Sequence, residues 1–309
     1  MLTADPRAEP MLTALFVATR IVANPLSNLF QKRLTQHSAH PVFIIAAVHA
    51  MLTAVCLPLL FVPGMPAILL GPDVWATMVV CAVLAVAGNA LLVAALKAAD
   101  LSVLGPLNAY KSVIGMALGI VLIGELPTSM GVAGVFLILA GSYAVVDDGA
   151  GDRARGNAFV RFFRERGIQL RFAALGLAAT EAIFLKRAIL ISSAWTTFVL
   201  WSILGLPIAA IGAWLVLGKR VNDDVLIVRR QWRTYLSLAV TTGLMQLTTV
   251  LTLGRLQVGY SLALFQLSTV ITVFLGYRYF QERQIRKRLL GAVVMAAGAI
   301  LIVVGGTRR

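Results

Sequence analysis

The sequence of 309 residues is poor in charge: Asp, Glu, Lys and Arg make up 13% of it, whereas 59% is hydrophobic. A soluble globular protein carries about 25% charged residues. The mean hydropathy of +0.88 is therefore typical of a membrane protein. The first ten residues hold Asp5, Glu9 and a single Arg, and without a basic start we predict no cleavable signal peptide.

Cysteine and histidine are also scarce. Cys56 and Cys81 both lie inside apolar runs, which argues against a disulfide framework and against a zinc site. The three histidines have no metal-ligand spacing, and the sequence has no nucleotide-binding loop and no Cys-x-x-Cys. We therefore expect no cofactor, no metal and no enzymatic activity, and a gradient as the energy source for any transport.

The apolar residues occur in runs long enough to cross about 30 Å of hydrocarbon as helices. A membrane span must satisfy its own backbone groups, so the sequence predicts an all-α multi-pass protein of the cytoplasmic membrane. The net charge of +14 comes from basic residues between these runs, which indicates loops beside anionic lipid and no nucleic-acid partner. The ten predicted spans cover residues 11–30, 42–62, 74–96, 101–123, 129–146, 169–185, 195–217, 234–254, 258–279 and 289–305.

The second half of the chain repeats the pattern of the first. Gly134 and Gly141 return at the same spacing as Gly291 and Gly298. With five spans in each half, the two copies must enter the membrane in opposite directions, and inverted repeats of this kind place a binding site near the midplane. The predicted units are a first five-helix repeat, a basic linker and a second five-helix repeat, at residues 11–146, 147–168 and 169–305.

Lys and Arg are concentrated in the linker and in the odd-numbered loops between spans. The positive-inside rule then predicts a cytoplasmic linker and both termini outside. The aromatic and basic piece 158–164 is consistent with a short interfacial helix and equally with a solvated connector.

Two cations, Lys111 and Arg20, lie well away from the ends of predicted spans, where each costs about 2.5–3.5 kcal/mol. Lys111 is too far from either end of its span to reach the headgroups. Arg20 shares one helical face with Asn24 and Asn28 and lies near Pro25, which can open the helix locally. Both cations are candidates for lining a polar pathway that binds an anion; the alternative is a structural role in helix packing.

Glu181 is the only acidic residue inside a predicted span. It is a candidate proton-coupling site; alternatively it neutralises the nearby Lys186–Arg187 or pairs with Lys111 or Arg20. His49 either contacts substrate or is a packed, hydrogen-bonded histidine.

Four polar amides are further candidates for substrate contacts. Asn89 and Gln246 occupy matching positions in the two halves, and Asn108 and Gln266 lie in the middle helices of the repeated stretch. The pair Gly115 and Gly119 is predicted to allow close helix packing and carries no information about a ligand.

The duplicated pattern resembles the EamA family of the drug/metabolite transporter superfamily. The resemblance rests on Gly124–Glu125 followed by the two glycines at 134 and 141, on Gln281–Glu282 followed by those at 291 and 298, and on Ser27–Asn28 through Lys32. It implies ten helices in two inverted five-helix repeats and secondary transport of small organic molecules. It also implies that both termini are cytoplasmic, opposite to the prediction from loop charge.

The sequence therefore predicts a secondary transporter that exports a small anionic or zwitterionic metabolite by alternating access. The partners expected are the substrate, the lipid bilayer, and a proton or a counter-substrate, with the protein acting as a monomer or a homodimer. Two alternatives remain at this point: a flippase for lipid-linked substrates, and a membrane-embedded lipid-modifying enzyme that uses Glu181 and His49.

Overall fold

The computed structural model describes residues 8–61, 70–114, 117, 126–145, 162–256, 258–282, 284–305 and 307–308, and these form a helical bundle. The first half of the chain contributes α1 Ala8–Gln36, α2 Pro41–Cys56, α3 Pro72–Ala98, the short α4 Leu101–Leu104 and α5 Ser129–Val145. The second contributes α6 Arg166–Ile191, α7 Ala194–Leu217, α8 Val221–Arg230, α9 Trp232–Arg255, α10 Val258–Phe265, α11 Ser268–Phe280 and α12 Ile285–Gly305.

Among the described residues, 4 helices are long and apolar enough to cross a membrane. They are Pro41–Phe61, which joins α2 to a 3-10 turn, Pro72–Ala98, Ala194–Leu217 and Trp232–Arg255. The prediction of ten spans is not confirmed by this criterion: α5 has only 17 residues, and two other predicted spans are broken helices. A multi-pass membrane protein is the conclusion that these four helices support.

Two predicted spans are broken helices, so the prediction of unbroken helices over 101–123 and 258–279 was wrong. In the first, α4 ends at Leu104, Gly105 caps it, and a 3-10 turn follows at Pro106–Ala109. Pro106 lacks the backbone donor that a continuous helix needs. In the second, α10 ends at Phe265 and α11 begins at Ser268, with a turn between them.

The structure also has helix where the sequence predicted loop. The helix α8 lies between the predicted spans 195–217 and 234–254, and its buried Asp224 accepts a hydrogen bond from the backbone nitrogen of His40 (2.8 Å). The helix α6 begins at Arg166, inside the predicted linker.

Phe163 of the aromatic piece stacks against Phe172 of α6, with ring centroids 5.5 Å apart. The described end of this piece therefore packs on the protein. Its residues 158–161 lie outside the described part of the chain, as do Gly115, Gly119 and Glu125.

Helices of the two halves pair with each other. The closest pairs are α1 with α9, α2 with α7, α3 with α6 and α5 with α12. The pair α1 and α9 is antiparallel, because Ser27 bonds Thr242 (2.9 Å) whereas Arg20, earlier in α1, bonds Thr249, later in α9 (2.7 Å). If every helix is replaced by its counterpart in the other half, the same four pairs result, as expected for a duplicated fold.

The helices α5 and α12 approach most closely, at paired glycines. A Cβ on Gly134 would lie 2.5 Å from the carbonyl oxygen of Gly298, and a Cβ on Gly141 would lie 2.8 Å from that of Gly291. The earlier glycine of one helix faces the later glycine of the other, so these two helices are antiparallel. A two-residue ladder, β1 Leu126–Pro127 with β2 Thr307–Arg308, joins the same two segments.

We expect Gly134→Ala to destabilise the protein by about 1–3 kcal/mol, because the new methyl meets backbone that must move apart. Gly176→Ala is the matched control: it is also helical, and its Cβ would have nothing within 4 Å. The melting temperatures of the two variants are compared by thermal unfolding in detergent. Equal melting temperatures would contradict the close approach of α5 and α12.

Candidate functional site

A polar cavity of about 120 Å³ lies between the two halves of the bundle. Its walls come from α1, α3, α6 and α9 and from the two broken helices. All nine residues that the sequence singled out as binding or coupling candidates line it: Arg20, Asn24, Asn28, Asn89, Asn108, Lys111, Glu181, Gln246 and Gln266.

The two helix breaks meet in the wall of the cavity through a pair of amides. Asn108 Nδ2 donates to Oε1 of Gln266 (3.3 Å), and Gln266 Nε2 donates to the backbone oxygen of Asn108 (3.4 Å). Asn108 belongs to the 3-10 turn after α4, and Gln266 belongs to the turn between α10 and α11. Their hydrogen bonds therefore join the two interrupted helices, one from each half of the chain.

Arg20 is fixed in one orientation. Its Nε donates to the hydroxyl of Thr249 (2.7 Å), and its guanidinium carbon lies 4.7 Å from the centroid of the Phe265 ring. Its Nη1 is buried and has no hydrogen-bond partner among the described residues. A rigid guanidinium with a free donor is a suitable group for binding an anion.

Two more cations and one carboxylate complete the charges of the cavity. Arg171 is buried, and its guanidinium donates to the backbone oxygen of Leu104 and to Oδ1 of Asn108, both at 3.3 Å. Lys111 follows Asn108 by one helical turn and interacts electrostatically with Glu181. Glu181 Oε1 also accepts a hydrogen bond from Nε1 of Trp201 (3.1 Å).

The remaining amides line the cavity in different environments. Asn24 Nδ2 donates to the hydroxyl of Ser268 (3.4 Å), and Asn89 Nδ2 donates to the backbone oxygen of Ala85 (2.8 Å). Gln246 is buried with its Nε2 unpartnered among the described residues. Asn28 is buried in the same wall, two turns of α1 beyond Arg20.

A group of charged residues that we call the linker-end cluster lies at one end of the bundle: Lys32, Asp100, Glu282 and Arg288. Lys32 Nζ lies 2.9 Å from Oε1 of Glu282, and Arg288 Nη1 lies 2.9 Å from Oδ2 of Asp100. The Glu282 carboxylate also accepts hydrogen bonds from the backbone nitrogens of Leu101 and Ser102, both at 2.8 Å. The first repeat thus contributes one cation and one anion to the cluster, as does the second.

A family model for EamA-like transporters matches residues 11–146. This match confirms the predicted resemblance to the EamA-like transporter family over these residues. The match indicates a membrane transporter of the drug/metabolite type.

No curated protein matches the chain. One solved structure, described only as a crystal structure of a protein, has a TM-score of 0.63 with this chain at 14% sequence identity. The match covers 94% of this chain and 96% of the other. At this identity it shows that the fold is shared over nearly the whole length.

The EamA pattern residues Lys32 and Glu282 come together at the linker end, although they belong to different repeats. Lys32 also donates to the backbone oxygen of Ala99 (3.0 Å), which follows α3. Its counterpart Lys186 donates to the backbone oxygen of Leu256 (3.2 Å), which follows α9 at the opposite end. The same lysine contact is therefore made once in each half.

Arg171 is the cavity residue that sequence reasoning missed, because it was counted with the basic linker. A signal was nevertheless present. Arg171 falls inside the predicted span 169–185, and on a helix it shares a face with Ala174, Ala178 and Glu181. A cation on the same face as a buried carboxylate indicates a cavity wall rather than a loop.

His49 is not among the cavity-lining residues. Its Nδ1 lies 3.2 Å from the backbone oxygen of Ser202, and its ring lies 4.7 Å from that of Trp201, centroid to centroid. Trp201 therefore contacts His49 through its ring and donates to Glu181 through Nε1. Of the two interpretations of His49, the packed, hydrogen-bonded histidine is the one that fits.

Proposed function

We propose that this protein is a secondary active transporter of the cytoplasmic membrane that exports a small anionic or zwitterionic metabolite by alternating access. The observation that carries the proposal is the cavity between the halves, where Arg20, Lys111 and Arg171 face a single carboxylate. Buried charges are retained at a cost, and in membrane helices they commonly mark a substrate pathway.

Alternating access is supported by the way the halves meet. The pairs α5–α12 and α1–α9 are antiparallel across the repeat interface, which is the relation expected of ten helices in two inverted five-helix repeats. The linker-end cluster joins the halves at one end only, so separation of that end requires its ion pairs to break. In the proposed cycle, the cluster is formed while the cavity is closed to the linker side.

Glu181 is the proposed coupling residue. It shares the cavity with Lys111, so substrate and a proton can compete for the same electrostatic environment. Exchange against a counter-substrate is the alternative mode, and it would leave a Glu181→Gln variant active.

The cavity volume favours a small soluble substrate over a lipid-linked one. About 120 Å³ is far below the space that a lipid-linked molecule needs, and known ligand pockets of drug size are several hundred Å³. A flippase would have to expose this polar cavity sideways to lipid.

The test is an untargeted metabolite profile of cells and medium, comparing cells that express the protein with cells that carry an empty vector. We expect one or a few polar acids or zwitterions to accumulate in the medium only when the protein is expressed. Enrichment inside the cells would make the protein an importer. If lipid extracts change and soluble metabolites do not, the proposal of a soluble substrate is wrong.

A further inference from the structure

The cavity has an excess of positive charge that its own residues do not balance. Among the described residues that line it, Arg20, Lys111 and Arg171 are cationic and Glu181 is the one carboxylate. The charges are close enough to act on one another, because Lys111 interacts electrostatically with the other three. In a medium of low dielectric constant, two unbalanced positive charges favour a ligand that brings two negative ones.

We propose that the substrate is a small organic dianion, either a short dicarboxylate or a phosphate monoester. This inference rests on the proposed transport function and narrows its substrate class, because a monoanion or a zwitterion would leave the cavity with net positive charge.

Unpartnered donors show where one anionic group would bind. Arg20 Nη1 and Gln246 Nε2 are both buried without a hydrogen-bond partner among the described residues. Gln246 and Thr249 are one turn apart on α9, and Thr249 holds Arg20, so these donors lie on the same part of the wall. Unmade hydrogen bonds of buried donors are costly, and an anionic oxygen at this place would supply the acceptor.

The cations Arg171 and Lys111 offer another place for negative charge. The guanidinium of Arg171 is held by Leu104 and Asn108, and Lys111 lies one turn after Asn108. These groups come from α6 and from the broken helix, whereas Arg20 and Gln246 come from α1 and α9. Positive charge therefore surrounds the cavity from several walls.

The size of the cavity limits the dianion. At about 120 Å³ the cavity is well below the several hundred Å³ of pockets that hold drug-sized ligands, so it suits a solute of at most about ten non-hydrogen atoms. A four-carbon dicarboxylate or a three-carbon phosphate monoester has this size, whereas a nucleotide does not.

The experiment measures binding and exchange with purified wild-type protein. Thermal stabilisation in detergent is titrated with succinate, glycerol 3-phosphate, butyrate and serine, since a ligand that binds the folded state raises its melting temperature. Counterflow in proteoliposomes then tests whether the same compounds are moved. We expect at least tenfold tighter binding of one dianion than of butyrate or serine. Comparing the affinities for succinate and glycerol 3-phosphate distinguishes a dicarboxylate site from a phosphate-monoester site.

A charge-deletion variant gives a second, quantitative criterion. Coulomb energy scales with the charge of the ligand, so Lys111→Gln should weaken dianion binding by twice as many powers of ten as monoanion binding. Arg187→Gln is the control: Arg187 is an exposed cation on the same helix as Glu181, and its replacement should leave both affinities unchanged.

Each outcome is decisive for one of the two claims. If serine or butyrate binds and exchanges while both dianions do not, the dianion proposal is wrong and the transport function stands. Equal losses for dianion and monoanion in Lys111→Gln would also overturn it. If none of the four compounds binds, and profiling of whole cells finds no exported metabolite, the transport function itself fails.

Discussion

Replacing Glu282 by glutamine is expected to cost about 3–5 kcal/mol of stability, because it leaves Lys32 buried without its carboxylate and removes one of the two carboxylates beside Arg288. The side chains of Lys32 and Glu282 are 10% and 4% exposed, so solvent cannot replace the lost partner. The variant also loses the charge that accepts hydrogen bonds from the first backbone nitrogens of α4. The melting temperature in detergent should fall by several degrees.

Asp100→Asn is the matched control for Glu282→Gln. It removes a carboxylate of the same cluster, and its pair with Arg288 has the same 2.9 Å distance. The Asp100 side chain, however, is 47% exposed, and exposed ion pairs are worth only about 0–1 kcal/mol. A large loss in Asp100→Asn together with a small one in Glu282→Gln would contradict the assigned burial.

The contribution of Glu282 to the stability of the fold should also decrease as the pH falls. Glu282 lies between α11 and α12. Burial alone would raise its pKa, but the charge of Lys32 and hydrogen bonds from Ser102 and Lys32 hold the pKa below the usual 4.5. The stabilisation is therefore fully present above pH 4.5 and is lost as the pH falls through the lower, folded-state value. The difference in melting temperature between wild type and Glu282→Gln should shrink in acid.

The same variant tests whether the cluster closes the linker end. Gln31 is buried and lines the cavity on the Lys32 side of α1. In a background without Cys56 and Cys81, a Gln31→Cys reporter should react faster with a polar thiol reagent when Glu282 is glutamine. If the rate is unchanged while the protein is destabilised, the cluster supports the fold without controlling access.

The helical fold was predictable because a membrane leaves the backbone few alternatives and because the glycines repeat. Gly134 and Gly298 marked the repeat in the sequence, and the structure shows that they are in close contact. The breaks were harder to predict. Hydropathy is nearly uniform across Gly105–Pro106, although the proline itself was a usable signal, and at Gln266 the sequence has no comparable breaker.

The candidate site was predictable to the extent that charge inside a membrane helix must face something polar. That reasoning placed Arg20, Lys111 and Glu181 in a cavity before their partners were known. It could not find the role of Glu282, because a carboxylate at the start of a loop gives no sign of burial. Its partner Lys32 lies in the other half of the chain, so only the folded arrangement of the repeats brings them together.

Lys111→Ala is expected to abolish transport while leaving expression and folding largely intact. Removing one charged partner of a buried contact typically costs 2–5 kcal/mol in binding, which corresponds to a loss of about thirtyfold or more. The cation also compensates Glu181, so the variant alters the coupling residue together with the substrate site. The measurement is uptake by proteoliposomes of the solute that the wild type moves.

Two further variants separate a loss of charge from a loss of shape. Lys111→Arg keeps the cation and should retain part of the transport, whereas Lys111→Gln keeps much of the length and should behave like alanine. Arg187→Gln removes an exposed cation and should transport at the wild-type rate. If Lys111→Ala transports normally while melting like the wild type, Lys111 has only a structural role. The positive charge that selects the substrate must then come from Arg20 and Arg171 alone.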